Sequence, residues 1–322
     1  MSTRPFSLGV TLHSFTQEYT SHVWGFEDLM RAAALCGGGV EIVGPAHHRG
    51  FPYVTDDFEA TFKASVERNG LTPTSYGSYA DPFMLPDRDL RPDEIVEYTI
   101  PQLQGARRLG FPIVRLQHFT AEVIDRLLPW ADRLDLRLGW ELHVPMTLES
   151  PRTQYLLSLV QKYDTPRLGL IPDAGIFARS ISARHLAEGR ARGIAPELVD
   201  TAVRAWHEGL DLDAALHAVG DPSGAAPVRT WVGEVWDTFG HSDPADLHEI
   251  LPYVPHVHGK FFHLVDGDEP DLRYAELVRA LVDGGYDGWV SSEYEGDAPD
   301  SLAIVQEHQA MIRRYVDAAR TA

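Results

Sequence analysis

A strand, a helix and a second strand follow one another in residues 256–295, HVHGKFFHLVDGDEPDLRYAELVRALVDGGYDGWVSSEYE. The runs at 257–262 and 289–294 are strand-like, whereas the apolar positions of 272–282 recur at helical spacing. A strand that continues through a helix into another strand is the repeating unit of a parallel sheet covered by helices. This stretch therefore predicts an α/β fold.

The same alternation extends toward the start of the chain. Further strands are predicted at 6–12, 40–43, 71–76, 113–117, 138–143 and 168–171. Eight such strands alternating with helices predict one (β/α)8 TIM barrel, with residues 1–322 as a single domain. About 80 residues separate the sixth and seventh strands, far more than elsewhere. We expect residues 178–246 to form a helical insertion that packs on the barrel; a lid or a docking role for a partner is the alternative.

The composition is that of a globular protein with a large excess of acidic groups. The 28 Lys+Arg against 47 Asp+Glu give a formal net charge of −19. This charge repels phosphate backbones and anionic lipid, so neither nucleic acid nor a membrane is an expected partner. The single cysteine, Cys36, excludes an intrachain disulfide, and no signal peptide or membrane span is predicted. These features favour a cytoplasmic location.

Four side chains with metal-ligand chemistry fall at the ends of consecutive late strands, namely Glu141, Asp173, His258 and Glu293. The carboxyl ends of the strands converge in a closed barrel, so we expect these groups to meet. Three carboxylates buried together would be costly without a cation. Oxygen-rich coordination with one nitrogen suits one divalent ion, for which we expect Mn²⁺, with Mg²⁺, Co²⁺ or Zn²⁺ as alternatives.

Two residues beside this predicted metal are candidates for catalysis. His143 follows Glu141 by two residues and therefore faces the same side of the strand, roughly 6 to 7 Å nearer the barrel mouth. It could act as a general base or acid, or it could orient a ligand through a hydrogen bond. Lys260 shares a face with His256 and His258 and could hold an anionic oxygen of the substrate.

Polar residues near the mouths of the other strands are candidates to bind the hydroxyl groups of a sugar. These are His13, Glu41, Tyr76, His118 and His263, although strand alternation places His263 on the face opposite Lys260. The alternative for about half of the earlier-strand group is that they cap loops. The sequence therefore predicts a carbohydrate site around one metal ion.

The sequence resembles the xylose-isomerase-like sugar phosphate isomerase/epimerase family. The best match is 276–295, where a helix, a Gly-Tyr-x-Gly turn and a last strand that carries Glu293 resemble the family pattern. The segment 256–260 resembles the family's His-x-His-x-Lys, in which the second histidine is a metal ligand. Glu141 and Asp173 match the two remaining ligand positions. The resemblance implies a TIM barrel with these four metal ligands.

Departures from the family pattern argue against simple ketose epimerisation. Ketose 3-epimerases of the family carry a substrate-binding histidine three residues after the metal aspartate, where this chain has Ile176. They follow the ligand histidine with Gly-Glu, where this chain has Gly259-Lys260, and Phe261 interrupts the usual Lys-Asp pair.

A narrower resemblance is to the large (alpha) subunit of bacterial C-glycoside deglycosidases, which share the Glu-x-His of the fifth strand, a comparable length and an elaborated late barrel. It implies a metal-dependent lyase that cleaves C–C or C–O glycosidic bonds of 3-oxo-glycosides supplied by a separate oxidoreductase. In the reaction that this resemblance implies, His143 would remove the proton at carbon 2, and the aglycone would leave carbon 1 by β-elimination. A small β-rich second subunit in a hetero-oligomer is also implied.

Three alternatives stay open at this point. A sugar isomerase or epimerase would use the same proton abstraction but would return the proton to the sugar. A non-catalytic barrel subunit would use the insertion as its interface. An endonuclease of the related barrel type is the least favoured, because the net charge has the wrong sign and ligands for further metal ions are not evident.

Overall fold

The computed structural model describes residues 5–220 and 226–321, and its centre is an eight-stranded sheet in the order β6-β5-β4-β3-β2-β1-β8-β7. Every neighbouring pair is parallel. The strands are β1 (Ser7–Thr11), β2 (Gly39–Val43), β3 (Thr72–Gly77), β4 (Ile113–Leu116), β5 (Arg137–Leu142), β6 (Leu168–Pro172), β7 (His256–Phe261) and β8 (Trp289–Tyr294). A parallel bridge between Asp173 and His258 joins β6 to β7. The predicted TIM barrel is confirmed.

Helices connect the strands along the outside of the barrel. They are α1 (Thr16–Thr20), α2 (Phe26–Leu35), α3 (Gly44–His47), α4 (Asp56–Asn69), α5 (Pro92–Leu109), α6 (Ile124–Leu134), α7 (Pro151–Tyr163), α8 (Ala183–Ala191), α9 (Pro196–His207), α10 (Leu212–Val219), α11 (Ala226–Trp236), α12 (Tyr274–Asp283) and α13 (Ser301–Thr321). In the part of the chain that the structure describes, no helix has the length and apolarity needed to cross a bilayer.

Local capping sets the boundaries of several helices. The Thr55 side chain accepts a hydrogen bond from the backbone N–H of Phe58 and so caps the start of α4. Gly70, with φ of 63°, ends the same helix in the left-handed conformation that glycine adopts without strain. Ser150 caps α7 in the same way as Thr55 caps α4, by accepting from Thr153.

The two faces of the barrel strands differ because successive residues alternate in direction. Outward residues such as Val40, Ile42 and Leu138 belong to a continuous apolar core beneath the helices. Many of the inward positions are polar and little exposed: Glu41, Arg115, Glu141, Asp173, His256, His258, Lys260, Ser291 and Glu293. The fold thus gathers charged groups inside the barrel, with the apolar core around them.

The connection between β6 and β7 contains α8 to α11, which lie within the segment predicted to be an insertion. Its tryptophans are buried and join its parts to one another through their indole N–H groups, with Trp206 donating to the carbonyl of Phe239 and Trp231 to that of His185. The ring of Phe239 lies 5.3 Å from that of Phe262, directly after β7. The described helices of this connection therefore share the barrel's apolar core.

Candidate active site

The four residues expected to bind metal come together where β5, β6, β7 and β8 end. One ligand atom from each of Glu141, Asp173, His258 and Glu293 lies within 4.8 Å of all the others. The His258 Nδ1 atom is 2.7 Å from Glu141 Oε1 and 3.3 Å from Glu293 Oε2. Asp173 follows β6 directly and begins a 3-10 turn, in which its Oδ1 accepts from the Gly175 N–H at 2.6 Å.

The polar atoms of this cluster fit a divalent ion. Asp173 Oδ2, His258 Nδ1 and Glu293 Oε2 are buried and have no hydrogen-bond partner of good geometry within the described parts of the chain, although oppositely charged groups lie nearby. Burial raises the pKa of the Asp173 carboxyl to about 6, even though Lys260 acts to lower it. Three carboxylates and one imidazole would satisfy an oxygen-preferring divalent cation, which would in turn satisfy them.

Glu41 was expected to bind substrate at the barrel mouth. In the structure it lies beneath the cluster, against the distal nitrogen of His258. Its Oε2 atom is 3.1 Å from His258 Nε2 and 3.2 Å from His256 Nε2, and all three side chains are fully buried. Burial favours the neutral acid, but His258 and His256 outweigh it and lower the pKa of Glu41 to about 2. A carboxylate on the distal nitrogen of a ligating histidine fixes the orientation of the imidazole ring.

Arg115 is a buried member of the site that the sequence analysis did not identify. Its Nη1 atom donates to Glu141 Oε2 at 2.6 Å, and both side chains are nearly inaccessible. Gly77 makes room for it, because a Cβ there would lie 2.8 Å from Arg115 Nη2. The available signal was a charged residue inside the apolar strand β4, at the inward position.

His143 and Lys260 are in contact at the edge of the cluster. The Lys260 Nζ atom is 2.6 Å from His143 Nε2 and 3.2 Å from Asp173 Oδ2. Burial alone would lower the pKa of Lys260, but Asp173, Glu295 and Glu293 raise it above its ordinary value, so the ammonium group is charged. His143 Nδ1 is 2.6 Å from the carbonyl oxygen of Val144. This carbonyl can only accept, so the hydrogen is on Nδ1 and Nε2 carries the lone pair.

Glu295 and His13 extend this group to the rim of the barrel. Glu295 Oε1 lies 3.2 Å from Lys260 Nζ and 3.7 Å from His13 Nε2. The His13 side chain is 40% exposed, which leaves it open to a ligand from solvent. Of the residues expected to bind sugar, His13 is therefore the one that Glu295 connects to Lys260. Glu295 itself was not predicted from the sequence as a site residue.

Three other expected substrate-binding residues make their contacts elsewhere. Tyr76 faces outward, because Ser75 takes the inward position of β3, and its hydroxyl lies 3.1 Å from His48 Nδ1 in the apolar core. The half-buried ring of His118 packs on Phe119 at 4.0 Å. The His263 ring lies on the loop after β7, beside Asp271. The alternation of apolar residues predicted where the strands end, but it did not indicate which of these side chains reach the cluster.

An eight-stranded parallel barrel with a cluster of carboxylate and imidazole groups at its carboxyl end defines a class of TIM-barrel proteins. Residues 30–315 match the model of the xylose isomerase-like TIM barrel family, and the chain belongs to this family. The resemblance expected from the sequence is thereby confirmed.

The sequence similarity to two deglycosidase alpha subunits extends over nearly the full length of the chain. A 3'-dehydrocarminate deglycosidase alpha subunit from a Microbacterium species is 39% identical over 328 aligned positions, and the alignment covers 95% of this chain and 94% of the relative. A C-glycoside deglycosidase alpha subunit from Arthrobacter globiformis is 33% identical over 344 residues, covering 95% and 89%. A solved sugar phosphate isomerase/epimerase from Parabacteroides distasonis shares the fold, with a TM-score of 0.56, 13% identity and coverage of 98% and 96%.

Proposed function

We propose that this chain is the catalytic alpha subunit of a metal-dependent deglycosidase, a lyase that cleaves the C–C or C–O glycosidic bond of 3-oxo-glycosides. The observation that carries the proposal is the contact of 2.6 Å between His143 Nε2 and Lys260 Nζ, at the edge of the four-residue cluster. The deglycosidase alpha subunits among its relatives support this choice over other sugar chemistry.

The reaction begins at the carbon next to the keto group. A 3-oxo group makes the proton on carbon 2 acidic, because the electron pair left by the proton can move onto the carbonyl oxygen. The pair then returns to form a double bond between carbons 1 and 2, and the bond from carbon 1 to the aglycone breaks. The aglycone takes up a proton, and the sugar leaves as an unsaturated 3-oxo compound.

His143 is proposed as the base that removes the carbon 2 proton. Its Nδ1–H is held by the Val144 carbonyl, so that Nε2 is the atom that can accept a proton. This nitrogen accepts a hydrogen bond from Lys260, so substrate would have to displace that contact. The freed ammonium group would then lie where negative charge develops on the substrate oxygen and would stabilise it.

Glu141, Asp173, His258 and Glu293 are proposed to hold one divalent ion, for which we expect Mn²⁺. Such an ion, when bound, supplies a positive charge that polarises the substrate's carbonyl oxygen. Arg115 would keep Glu141 in place, and Glu41 would orient His258. His13 is proposed to bind a sugar hydroxyl at the rim.

A partner subunit is also part of the proposal. The relatives are named alpha subunits, which supports a hetero-oligomer for this chain as well. We propose that the partner is small and β-rich, and that the assembly works in the cytoplasm on glycosides already oxidised by another enzyme.

Product analysis tests the proposed reaction. The protein, alone and with its partner, is incubated with Mn²⁺ and with matched C- and O-glycosides that do or do not carry a 3-oxo group. We expect free aglycone and an unsaturated sugar from the oxidised compounds only. An isomerised glycoside with its aglycone still attached would overturn the lyase and favour an epimerase instead.

A further inference from the structure

A second group of metal-ligand side chains lies on the loop between β7 and α12. His263, Glu269 and Asp271 each offer a ligand atom, and these atoms lie within 4.8 Å of one another. None of the three belongs to the cluster formed by Glu141 and its neighbours. Spacing along the chain did not reveal this group, because the residues come together only when the loop folds back on itself.

Asp271 carries a buried oxygen that the protein leaves without a partner. Its residue surface is 6% exposed, and its Oδ1 accepts from the Ser180 hydroxyl at 2.7 Å. The other oxygen, Oδ2, has no hydrogen-bond partner among the residues that the structure describes. It points toward His263 Nε2 at 3.7 Å, which is too long for a hydrogen bond. A buried carboxylate oxygen without a partner is costly, so the presence of one here indicates a ligand.

Glu269 is held rigidly next to this oxygen. It is 4% exposed, and its Oε2 accepts from the backbone N–H groups of Phe262 and His263 at 3.0 and 3.2 Å. Among the described residues, its Oε1 accepts only from the N–H of Asp271, at 3.1 Å, which leaves a lone pair on that atom.

The charged groups around the cluster do not neutralise it. Of the described side chains packed nearby, Arg179 pairs with Glu276, and Arg273 lies 3.8 Å from Asp243. His185 also interacts electrostatically with Asp271, but burial lowers the pKa of His185 and favours its neutral form. Among the described residues, His263 is therefore the imidazole grouped with the two carboxylates. The His263 side chain is 34% exposed, so an ion could reach the group from solvent.

We propose that His263, Glu269 and Asp271 form a second divalent-cation site of the zinc class, apart from the site proposed for catalysis. One imidazole and two carboxylates suit Zn²⁺ or Co²⁺, with water in the remaining position, whereas Ca²⁺ and Mg²⁺ prefer oxygen alone. This assignment replaces the sugar-binding role expected for His263.

The bound ion would fasten two parts of the fold together. The carbonyl of Asp271 accepts from the N–H of Arg179 at 2.8 Å, and Leu272 bridges to Ala178. Both partners lie at the start of the β6–β7 connection. Zinc at the site would therefore hold the loop after β7 against the segment from which α8 to α11 depart, and it would stabilise the protein in proportion to its occupancy.

Metal counting on variants tests the site. The purified full chain is stripped with chelator, incubated with Zn²⁺, separated from free metal and analysed by inductively coupled plasma mass spectrometry. We compare wild type, His263→Gln, Asp271→Asn and Glu293→Ala, the last of which removes a member of the main cluster. Asp266→Asn is the matched control, since Asp266 is an exposed carboxylate of the same loop.

The expected result is about two Zn²⁺ ions per wild-type chain and per Asp266→Asn chain. His263→Gln, Asp271→Asn and Glu293→Ala should each retain about one. Equal zinc content in wild type and folded His263→Gln would overturn the proposal and leave a simple His263–Asp271 ion pair. The His263 side chain is 34% exposed, so we expect His263→Gln to fold. This variant therefore tests the site even if Asp271→Asn fails to fold. Zn²⁺ should also raise the melting temperature of Glu293→Ala; no rise there contradicts the site.

Discussion

Arg115 and Glu141 form an ion pair whose members are both withdrawn from solvent, with Nη1 and Oε2 at 2.6 Å. Removing one partner leaves a buried charge without compensation, which typically costs about 3 to 5 kcal/mol. We therefore expect Arg115→Met to lower the free energy of unfolding by about 3 kcal/mol in urea denaturation. Arg126→Met is the control, because Arg126 pairs with Asp93 at the surface and should matter little. Equal effects of the two variants would contradict the role given to Arg115.

His143 can be separated from metal binding because its side chain forms hydrogen bonds with Lys260 and with the Val144 carbonyl and with none of the four proposed metal ligands that the structure describes. We expect His143→Ala to retain the divalent ion but to lose turnover by about 10²-fold or more, as is usual when a general base is removed. Aglycone release and bound Mn²⁺ are measured on the same sample. His248→Ala, at an exposed position distant in the sequence, is the control. Near-normal turnover of His143→Ala would remove it from the base role.

Glu41 contacts the distal nitrogen of His258, so its effect on the metal should be indirect. Glu41→Gln keeps the shape of the side chain but removes its charge. We expect the Kd for Mn²⁺ to increase about 10- to 100-fold, the usual effect of losing such a support. Calorimetric titration of the chelator-treated protein measures it. An unchanged Kd would show that His258 is oriented without Glu41.

The turn between α2 and β2 illustrates how an element boundary depends on single glycines. Gly37 and Gly38 both have positive φ, of 84° and 85°. A Cβ on Gly37 would lie 2.4 Å from the carbonyl oxygen of Leu8, whereas a Cβ on Gly38 would meet nothing within 4 Å. An alanine would therefore have a strained backbone at either position, but only at Gly37 would its Cβ also collide with a neighbouring strand.

Alanine substitution at the two positions should separate these effects. We expect Gly38→Ala to cost about 1 to 2 kcal/mol for the left-handed backbone alone. Gly37→Ala should cost roughly 1 to 3 kcal/mol more, because the chain has to move away from β1. Thermal and urea unfolding measure both variants. A smaller loss for Gly37→Ala than for Gly38→Ala would contradict this account.

For the molecule as a whole, buried histidines limit stability in acid. Burial lowers the pKa of His308 to about 3, and burial also lowers that of His47 to about 4. In the unfolded chain a histidine titrates near 6.5. The unfolded state therefore takes up protons first as the pH falls below about 6.5. The stability that these neutral histidines provide is complete above that pH and is lost progressively toward pH 3 to 4.

The variant His308→Gln removes one of these titrations. Between about pH 6.5 and 4, the free energy of unfolding should fall less steeply than in wild type, by about 1.4 kcal/mol per pH unit. Urea denaturation at several pH values measures the slopes, and His248→Gln is the exposed control. Parallel slopes for wild type and His308→Gln would show that His308 is not neutral in the folded protein.

The sequence by itself determined the barrel and the positions of its strands. Each strand is signalled by a short apolar run, and turn and cap residues such as Gly70 separate the runs from the helices. Glu141, Asp173 and Glu293 could be selected because the carboxyl ends of parallel strands always converge. This part of the fold depends on local pattern and on a general rule of barrel geometry, both of which are present in one sequence.

Only the tertiary structure decided which side chains meet. The depth of Glu41 beneath His258, the pairing of Arg115 with Glu141 and the contact of Lys260 with His143 all join different strands. Strand alternation predicts the face of a residue but not its depth or its neighbour, since these depend on the register between strands. That register is set by packing around the whole barrel and by its closure between β6 and β7, which no local stretch of sequence encodes.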